Sequence, residues 1–488
     1  MTSLAKKSLA GSITMLLLSV LQRGLGFLST VVLARLLTPE DYGVIAIINL
    51  VVFLIDSLST VGVGQYIIQK TEVDADDLNS AWTINLLLKS VFFALAALAM
   101  PFITAFLDKP ELLYPMLITL LILPLSAFAT PGVYLLHKHL DLKPLFWMNL
   151  SARLTVFAIT LVLAYVYRNY WALVFGTLFS YFLPAIGTYF IHPFRPKISF
   201  SKFHEQWGFS KWIFFNSFVG YIKGQIDMFI ISKLYSSENI GGYNMMKNVA
   251  KMPEQILIAP LSSTFLSTYS NVKHDRQKLN RVSNISFLGL SALLCPLSAL
   301  LYLNPLMVIN ILLGDSWFTY VDIFAVLALT LAVTPLTILT KNYSMAFGSV
   351  KPYFYLDLFS VVLSASIYFF IFDKTILYFA YAYLAISLIQ ALVTIIYFNM
   401  KLNMPVCFPI IHTLGLAALA FGLGYLFFPS QTTHLSLTAI GSYIVYFVSF
   451  YFTLAVIIYS IKSKIYEYNY VVNTLINNLM HRLTKLKS

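Results

Sequence analysis

Arg35-Leu-Leu-Thr-Pro-Glu-Asp-Tyr-Gly43 returns further along the chain as Lys233-Leu-Tyr-Ser-Ser-Glu-Asn-Ile-Gly241. A basic residue, Leu, a hydroxyl, Glu, Asp or Asn, and Gly all recur at one offset of 198 residues. The same offset carries Asp56 onto Glu254, so two carboxylates fall at equivalent places in the apolar runs that follow. Six apolar runs lie within the offset. An even number makes the two copies run parallel, related by an axis along the membrane normal. The repeat predicts two six-helix bundles, 1–200 and 201–400. Two further helices follow in 401–461, then a basic amphipathic cytoplasmic tail in 462–488.

Composition requires that these helices lie in a membrane. Of 488 residues 59% are hydrophobic and only 11% charged, with a mean hydropathy of +0.79. A soluble protein carries about 25% charged residues, which excludes a cytosolic enzyme, a disulfide-rich secreted scaffold and a disordered chain. A span needs roughly 20 apolar residues, and about fourteen runs qualify, from approximately 12–35 to 437–461. The fold class read from these runs is all-α integral membrane, with a central cavity between the two bundles.

The net charge of +12 does not indicate nucleic acid, because the bases are scattered between apolar runs. With the N-terminus inside, 21 of the 32 Lys and Arg fall in cytoplasmic segments and 5 at the outer ends. This asymmetry puts both termini inside. Cys295 and Cys407 lie in or beside apolar runs and predict neither a disulfide nor a metal site.

The remaining six bases, Arg23, Lys89, Arg153, Lys223, Lys247 and Lys251, lie within spans, three in each half. A charge at a helix centre costs about 2.5–3.5 kcal/mol, so six facing lipid would cost on the order of 15–20 kcal/mol. They therefore face a cavity, a partner or the interface. Read functionally, they form a basic cavity for an anionic substrate, with Asp56, Asp227 and Glu254 as candidates for cation coupling. Read structurally, Lys223 pairs with Asp227 and Lys251 with Glu254 at helical spacing, Arg23 pairs with Asp56, and Lys89 and Arg153 reach the inner headgroups. Asp322 reads as interfacial, and Asp357 is a further acid within a span. Gly62, Gly64, Pro253 and Pro260 interrupt helices 2 and 8, as gates or as close packing.

Enzymatic signatures are weak. Asp74-Ala-Asp76-Asp77 contains a D-x-D pattern but reads as an acidic cap before the third span. His137-x-His139 lacks further metal ligands. No G-x-x-x-x-G-K-[ST] loop is present, and the outer loops are short for a polymerase. The expectation is no enzyme, no cofactor and no metal.

The run from Ala34 through Gly43, then Gly62-Val-Gly-Gln-Tyr-Ile-Ile-Gln-Lys70, resembles the start of bacterial polysaccharide flippases. These are Wzx-type exporters, especially the colanic-acid exporter-like branch of the multidrug/oligosaccharidyl-lipid/polysaccharide exporter superfamily. Gln225-Ile-Asp227, Gly241-Gly-Tyr-Asn244, Pro253, Leu313-Gly-Asp-Ser-Trp317 and Ala346-Phe-Gly-Ser-Val-Lys351 extend the likeness to about residue 400. The resemblance implies a transporter that flips undecaprenyl-diphosphate-linked oligosaccharide repeat units across the bacterial inner membrane by alternating access, for surface polysaccharide. It implies membrane lipids, a proton or sodium gradient, and polymerase and glycosyltransferase partners. A drug/cation antiporter of the same superfamily and a membrane-embedded polysaccharide polymerase are the alternatives.

Overall fold

The computed structural model describes Leu18 and residues 21–60, 62–428 and 436–461. The amphipathic helix expected over 462–488 lies outside these residues. The described chain is all-helical. In order along it come α1 (Leu21–Ala34), α2 (Pro39–Ser59), α3 (Val63–Gln69), α4 (Ala75–Phe106), α5 (Leu113–Leu120) and α6 (Ile122–Ala127). They are followed by α7 (Val133–Lys138), α8 (Lys143–Tyr167), α9 (Trp171–Ile191), α10 (Phe203–Leu234), α11 (Ser237–Pro253) and α12 (Ala259–Val272). Then come α13 (Arg276–Leu303), α14 (Pro305–Leu312), α15 (Val321–Ala328), α16 (Thr330–Ala346) and α17 (Val350–Phe370). The last three are α18 (Ile376–Leu402), α19 (Cys407–Phe427) and α20 (Leu437–Ile461).

Eleven helical segments among the described residues are long and apolar enough to cross a bilayer. Their flanks turn large apolar side chains outward: Phe102 is 78% exposed, Phe190 85% and Leu426 78%. Such faces are stable only against hydrocarbon, which makes this a multi-pass membrane protein. The three remaining expected spans fall short for separate reasons. α1 is short within the described residues, α10 is rich in charged residues, and the run after Gly241 is divided between α11 and α12.

Two compact units emerge, one of Met1–Met245 with Asp357–Phe379, the other of Met246–Leu356 with Ala380–Ser488. In the first, Val63, Tyr66, Ile67, Leu78, Ala81 and Ile84 form one buried cluster around α3 and α4. In the second, α13 anchors two cores, one with Phe287, Leu294 and Tyr343, the other with Cys295, Tyr446 and Phe450.

The repeated motif is a helix start in both copies. Thr38 caps α2, Pro39 occupies the first turn where no N–H is needed, and Asp41 completes a capping box. The Asp41 N–H donates to Thr38 Oγ1 at 3.3 Å and the Thr38 N–H donates to Asp41 Oδ2 at 3.0 Å. At the equivalent places, Asn239 donates its N–H to Ser236 Oγ at 3.4 Å and its Nδ2 at 3.1 Å.

The two starts also meet. A Cβ built on Gly43 would stand 1.6 Å from the Ser237 carbonyl oxygen, and one on Gly241 would stand 1.8 Å from the Pro39 carbonyl oxygen. Pro39 and Ser237, like Gly43 and Gly241, are separated by the repeat offset, so the contact is reciprocal, as a two-fold relation demands. Only glycine lets the two backbones approach this closely. Both helices then break at matching places: α2 stops at Ser59 before α3, and α11 runs into a π turn, Glu254–Ile258.

The acidic run before the third span is a cap. Asp74 Oδ1 accepts the Asp77 N–H at 2.7 Å, and Asp77 Oδ2 accepts the Asp74 N–H at 3.1 Å.

Candidate functional site

The intramembrane charges fall in two groups, one in each unit. In the first unit, α2 supplies Asp56, α4 supplies Lys89 and α6 supplies Ser126. Lys89 Nζ lies 2.9 Å from Asp56 Oδ1 and donates to Ser126 Oγ at 2.6 Å. Lys89 is 7% exposed, so the ammonium is held inside the helix packing. This replaces the expectation that Lys89 reaches the headgroups, and it gives Asp56 a partner other than Arg23.

The Lys223–Asp227 pairing expected from helical spacing is also replaced. Lys223 on α10 forms its ion pair with Asp357 on α17. Asp227, 1% exposed, accepts the Tyr243 hydroxyl proton on Oδ2 at 2.8 Å. The i, i+4 rule places two side chains on one helix face, but here Lys223 reaches the carboxylate of α17 while Asp227 is bonded to the Tyr243 hydroxyl. Arg153 is exposed on α8, and its Nη2 lies 3.3 Å from where a Cβ on Gly26 would stand. The bare glycine surface of α1 thus makes room for that guanidinium. Arg23, on the same helix, is partly buried.

In the second unit, Lys247 and Lys251 follow one another up α11, and both ammonium groups approach the ring of Tyr383 on α18. Their distances to the ring centroid are 5.0 Å and 4.8 Å, within the range of cation–π attraction. Glu254 interacts electrostatically with Lys251 and hydrogen-bonds Thr334 on α16. Two bases, one acid and an aromatic face therefore converge within one unit. Chemically, such a cluster attracts an oligoanion, and its remaining acid can bind a cation or a proton.

A third group lies outside the spans. Lys70 pairs with Asp77 at 2.6 Å, and the Tyr66 hydroxyl donates to Glu205 Oε1 at 2.5 Å. The bond from Tyr66, helped by Lys70 and Lys202, holds the Glu205 carboxyl below its ordinary range. The Asp77 amide does the same for Asp74. Lys70 is raised, chiefly by its bond to Asp77.

No group of three or more His, Cys, Asp or Glu among the described residues is placed to hold a metal ion. Ser126, Tyr243, Thr334, Asp357 and Tyr383 complete these clusters. In the sequence Asp357 stands out by its charge within a span and Tyr243 by its place in Gly241-Gly-Tyr-Asn244, whereas no local pattern marks Ser126, Thr334 or Tyr383.

Residues 32–322 match the family model described as "Polysaccharide biosynthesis protein". The chain is 25% identical over 260 residues to an uncharacterized membrane protein in the cps region of Klebsiella pneumoniae, covering 52% of this chain and 54% of that one. It therefore spans about half the length of that relative. It is 23% identical over 336 residues to the lipopolysaccharide biosynthesis protein WzxC of Escherichia coli strain K12, covering 67% of each. Its fold is similar to that of the lipid II flippase MurJ in an inward closed conformation. The TM-score is 0.69 at 15% identity, over 91% of this chain and 98% of that one. A family match across more than half of the chain, on an all-helical membrane fold, makes this chain a member of the polysaccharide biosynthesis protein family.

Proposed function

We propose that this chain flips a lipid-linked oligosaccharide, carried on an undecaprenyl diphosphate, from the inner to the outer leaflet of the bacterial inner membrane. The observation that carries the reading is that basic side chains are kept within helix packing: Lys89 is 7% exposed on the apolar span α4, against Asp56, and Lys247 is 5% exposed on α11, at a cost that lipid exposure would make prohibitive. WzxC is named for lipopolysaccharide biosynthesis and MurJ for flipping lipid II, and both names agree with an anionic, lipid-borne cargo.

In this reading fourteen spans run with both termini in the cytoplasm. Segments 1–200 and 201–400 form two parallel bundles around a central cavity, and 401–461 adds two helices. The headgroup enters from the cytoplasm, where Arg23, Lys89, Arg153, Lys223, Lys247 and Lys251 provide positive potential. The lipid tail stays in the bilayer. Asp56, Asp227 and Glu254 couple a cation gradient or hold those bases in place. The Gly43–Gly241 seam lies at the outer face in this orientation and must open for release. The chain acts as a transporter and not as an enzyme, alongside the glycosyltransferases and polymerase that make and extend the glycan.

The test replaces Arg23 and Lys251 by Ala, singly and together, and measures surface polysaccharide at equal protein level. Export falls in each variant if these residues bind the cargo. Undiminished export in the double variant removes them from the mechanism.

A further inference from the structure

The end of the second unit that holds the starts of α13, α17 and α19 is one-sided in charge. Residues 341–356 and 396–407 contain no acid, and 272–281 contains one, Asp275. That carboxylate is occupied at the start of α13, where its Oδ1 accepts the Lys278 N–H at 3.0 Å. Against it stand seven Lys and Arg across the same three stretches.

Charge asymmetry alone would set topology and nothing more. Here the bases are also fixed by aromatic rings. Lys341 Nζ on α16 stands 5.5 Å from the centroid of the Tyr353 ring on α17. Tyr353 stacks on Phe398 of α18 at 6.4 Å, and Phe398 meets Tyr397 edge-on at 5.1 Å. Lys401 Nζ lies 5.7 Å from the Tyr397 ring and donates to its hydroxyl at 3.3 Å. One continuous run of rings thus ties α16, α17 and α18 together, with an exposed ammonium at either end. Arg276 joins α13 to the same rim by donating to the Leu402 carbonyl.

An apolar stripe leads away from this rim along α18. Ile389, Leu392, Ile396 and Met400 share one helix face, and all four are exposed, Met400 to 81%. Eleven residues of helix cover about 16 Å, which is half of a hydrocarbon core about 30 Å thick. The stripe therefore has the depth of one leaflet and ends beside Lys401.

We infer that this rim is a docking site for an anionic phospholipid of the bilayer. Lys401 meets the lipid phosphate directly, Lys341 adds positive potential from across the rings, and an acyl chain follows the α18 stripe. Basic pockets between membrane helices hold anionic headgroups in this way. A zwitterionic phospholipid carries a cation of its own, which the two lysines repel, so the site selects for net negative charge. In the proposed orientation the rim faces the cytoplasm, and the inference is independent of the cargo.

The experiment presents purified full-length protein in detergent with dioleoylphosphatidylglycerol or dioleoylphosphatidylethanolamine, and native mass spectrometry measures the affinity for each. Wild type should bind phosphatidylglycerol about fivefold the tighter or more. Lys401→Gln should lower that ratio about fivefold and Lys341→Gln about twofold, while Lys401→Arg keeps it. Lys374→Gln removes an exposed lysine from the turn between α17 and α18, outside the rim, and should leave the ratio unchanged. Lys341→Gln carries the test if Lys401→Gln does not fold. Equal affinity of wild type for both lipids, an unchanged ratio in the folded lysine-to-glutamine variants of the rim, or an equal loss in Lys374→Gln each overturns the site. Binding of sn-glycerol 3-phosphate as tight as that of phosphatidylglycerol would make the rim a free-anion site and overturn the lipid assignment.

Discussion

Adding one methyl group at Gly43 tests the seam between α2 and α11 directly. In Gly43→Ala the new carbon would stand 1.6 Å from the Ser237 carbonyl oxygen, 2.5 Å from the Ser237 carbonyl carbon and 3.0 Å from the Gly241 nitrogen. Side-chain carbons essentially never approach closer than 3.0 Å, so the backbones must part by at least about 1.4 Å. Every atom in the way belongs to main chain, and rotamer changes cannot relieve the overlap. Both helix starts are fixed by caps, and Asp41 also accepts the Tyr170 N–H at 2.9 Å, so the displacement reaches the start of α9. Overpacking of this kind costs about 1–3 kcal/mol and sometimes more; with rigid walls on both sides we expect the upper end, about 3 kcal/mol. At roughly 2–4 °C per kcal/mol for units of this size, purified Gly43→Ala should melt about 6–12 °C below wild type, read by intrinsic fluorescence in detergent. Gly241→Ala should behave alike, and the double variant should lose little more, because both changes open one contact. Gly24→Ala is the control, since its Cβ meets nothing within 4 Å. Gly43→Ala melting within 1 °C of Gly24→Ala would refute the close-approach argument.

The Lys89–Asp56 pair makes a second prediction. Asp56→Asn strands a buried ammonium and should destabilise by about 3–5 kcal/mol, whereas Asp56→Leu with Lys89→Met together should recover most of that loss; chemical denaturation of the purified variants reads both. The Glu205 latch predicts a pH dependence. Its folded-state carboxyl is depressed, so its contribution is present above the ordinary Glu range, about 4.3, and is lost as pH falls through the lower folded value. The melting advantage of wild type over Glu205→Gln should therefore hold from pH 7 to about 5 and shrink below that; an advantage that grows on acidification contradicts the assignment.

The repeat was legible because its signal is local. Hydroxyl, Asp or Asn, and glycine at fixed spacing suit a capped helix start and a close approach, and both copies keep them. The acidic run at Asp74–Asp77 was legible as a cap for the same reason. The partners of the buried bases were not legible. Lys223 could be matched to Asp227 from spacing alone, while Asp357 stands 134 residues away and no periodicity connects them. Tyr383 carried no mark either, since one tyrosine among 31 becomes distinctive only when two ammonium groups meet it. The proposed bundles 1–200 and 201–400 rest on recurrence along the chain, whereas the compact units, Met1–Met245 with Asp357–Phe379 and Met246–Leu356 with Ala380–Ser488, follow packing.

The bond between Lys89 and Asp56 bears on how the chain enters the bilayer. These residues occupy neighbouring crossings, α2 and α4, and each alone would burden its helix during insertion by about 2.5–3.5 kcal/mol. Joined, they present the lipid with a hairpin of no net charge at that depth. The two crossings should therefore leave the translocon as one body, and a nascent chain halted after α2 should linger at the exit until Lys89 arrives.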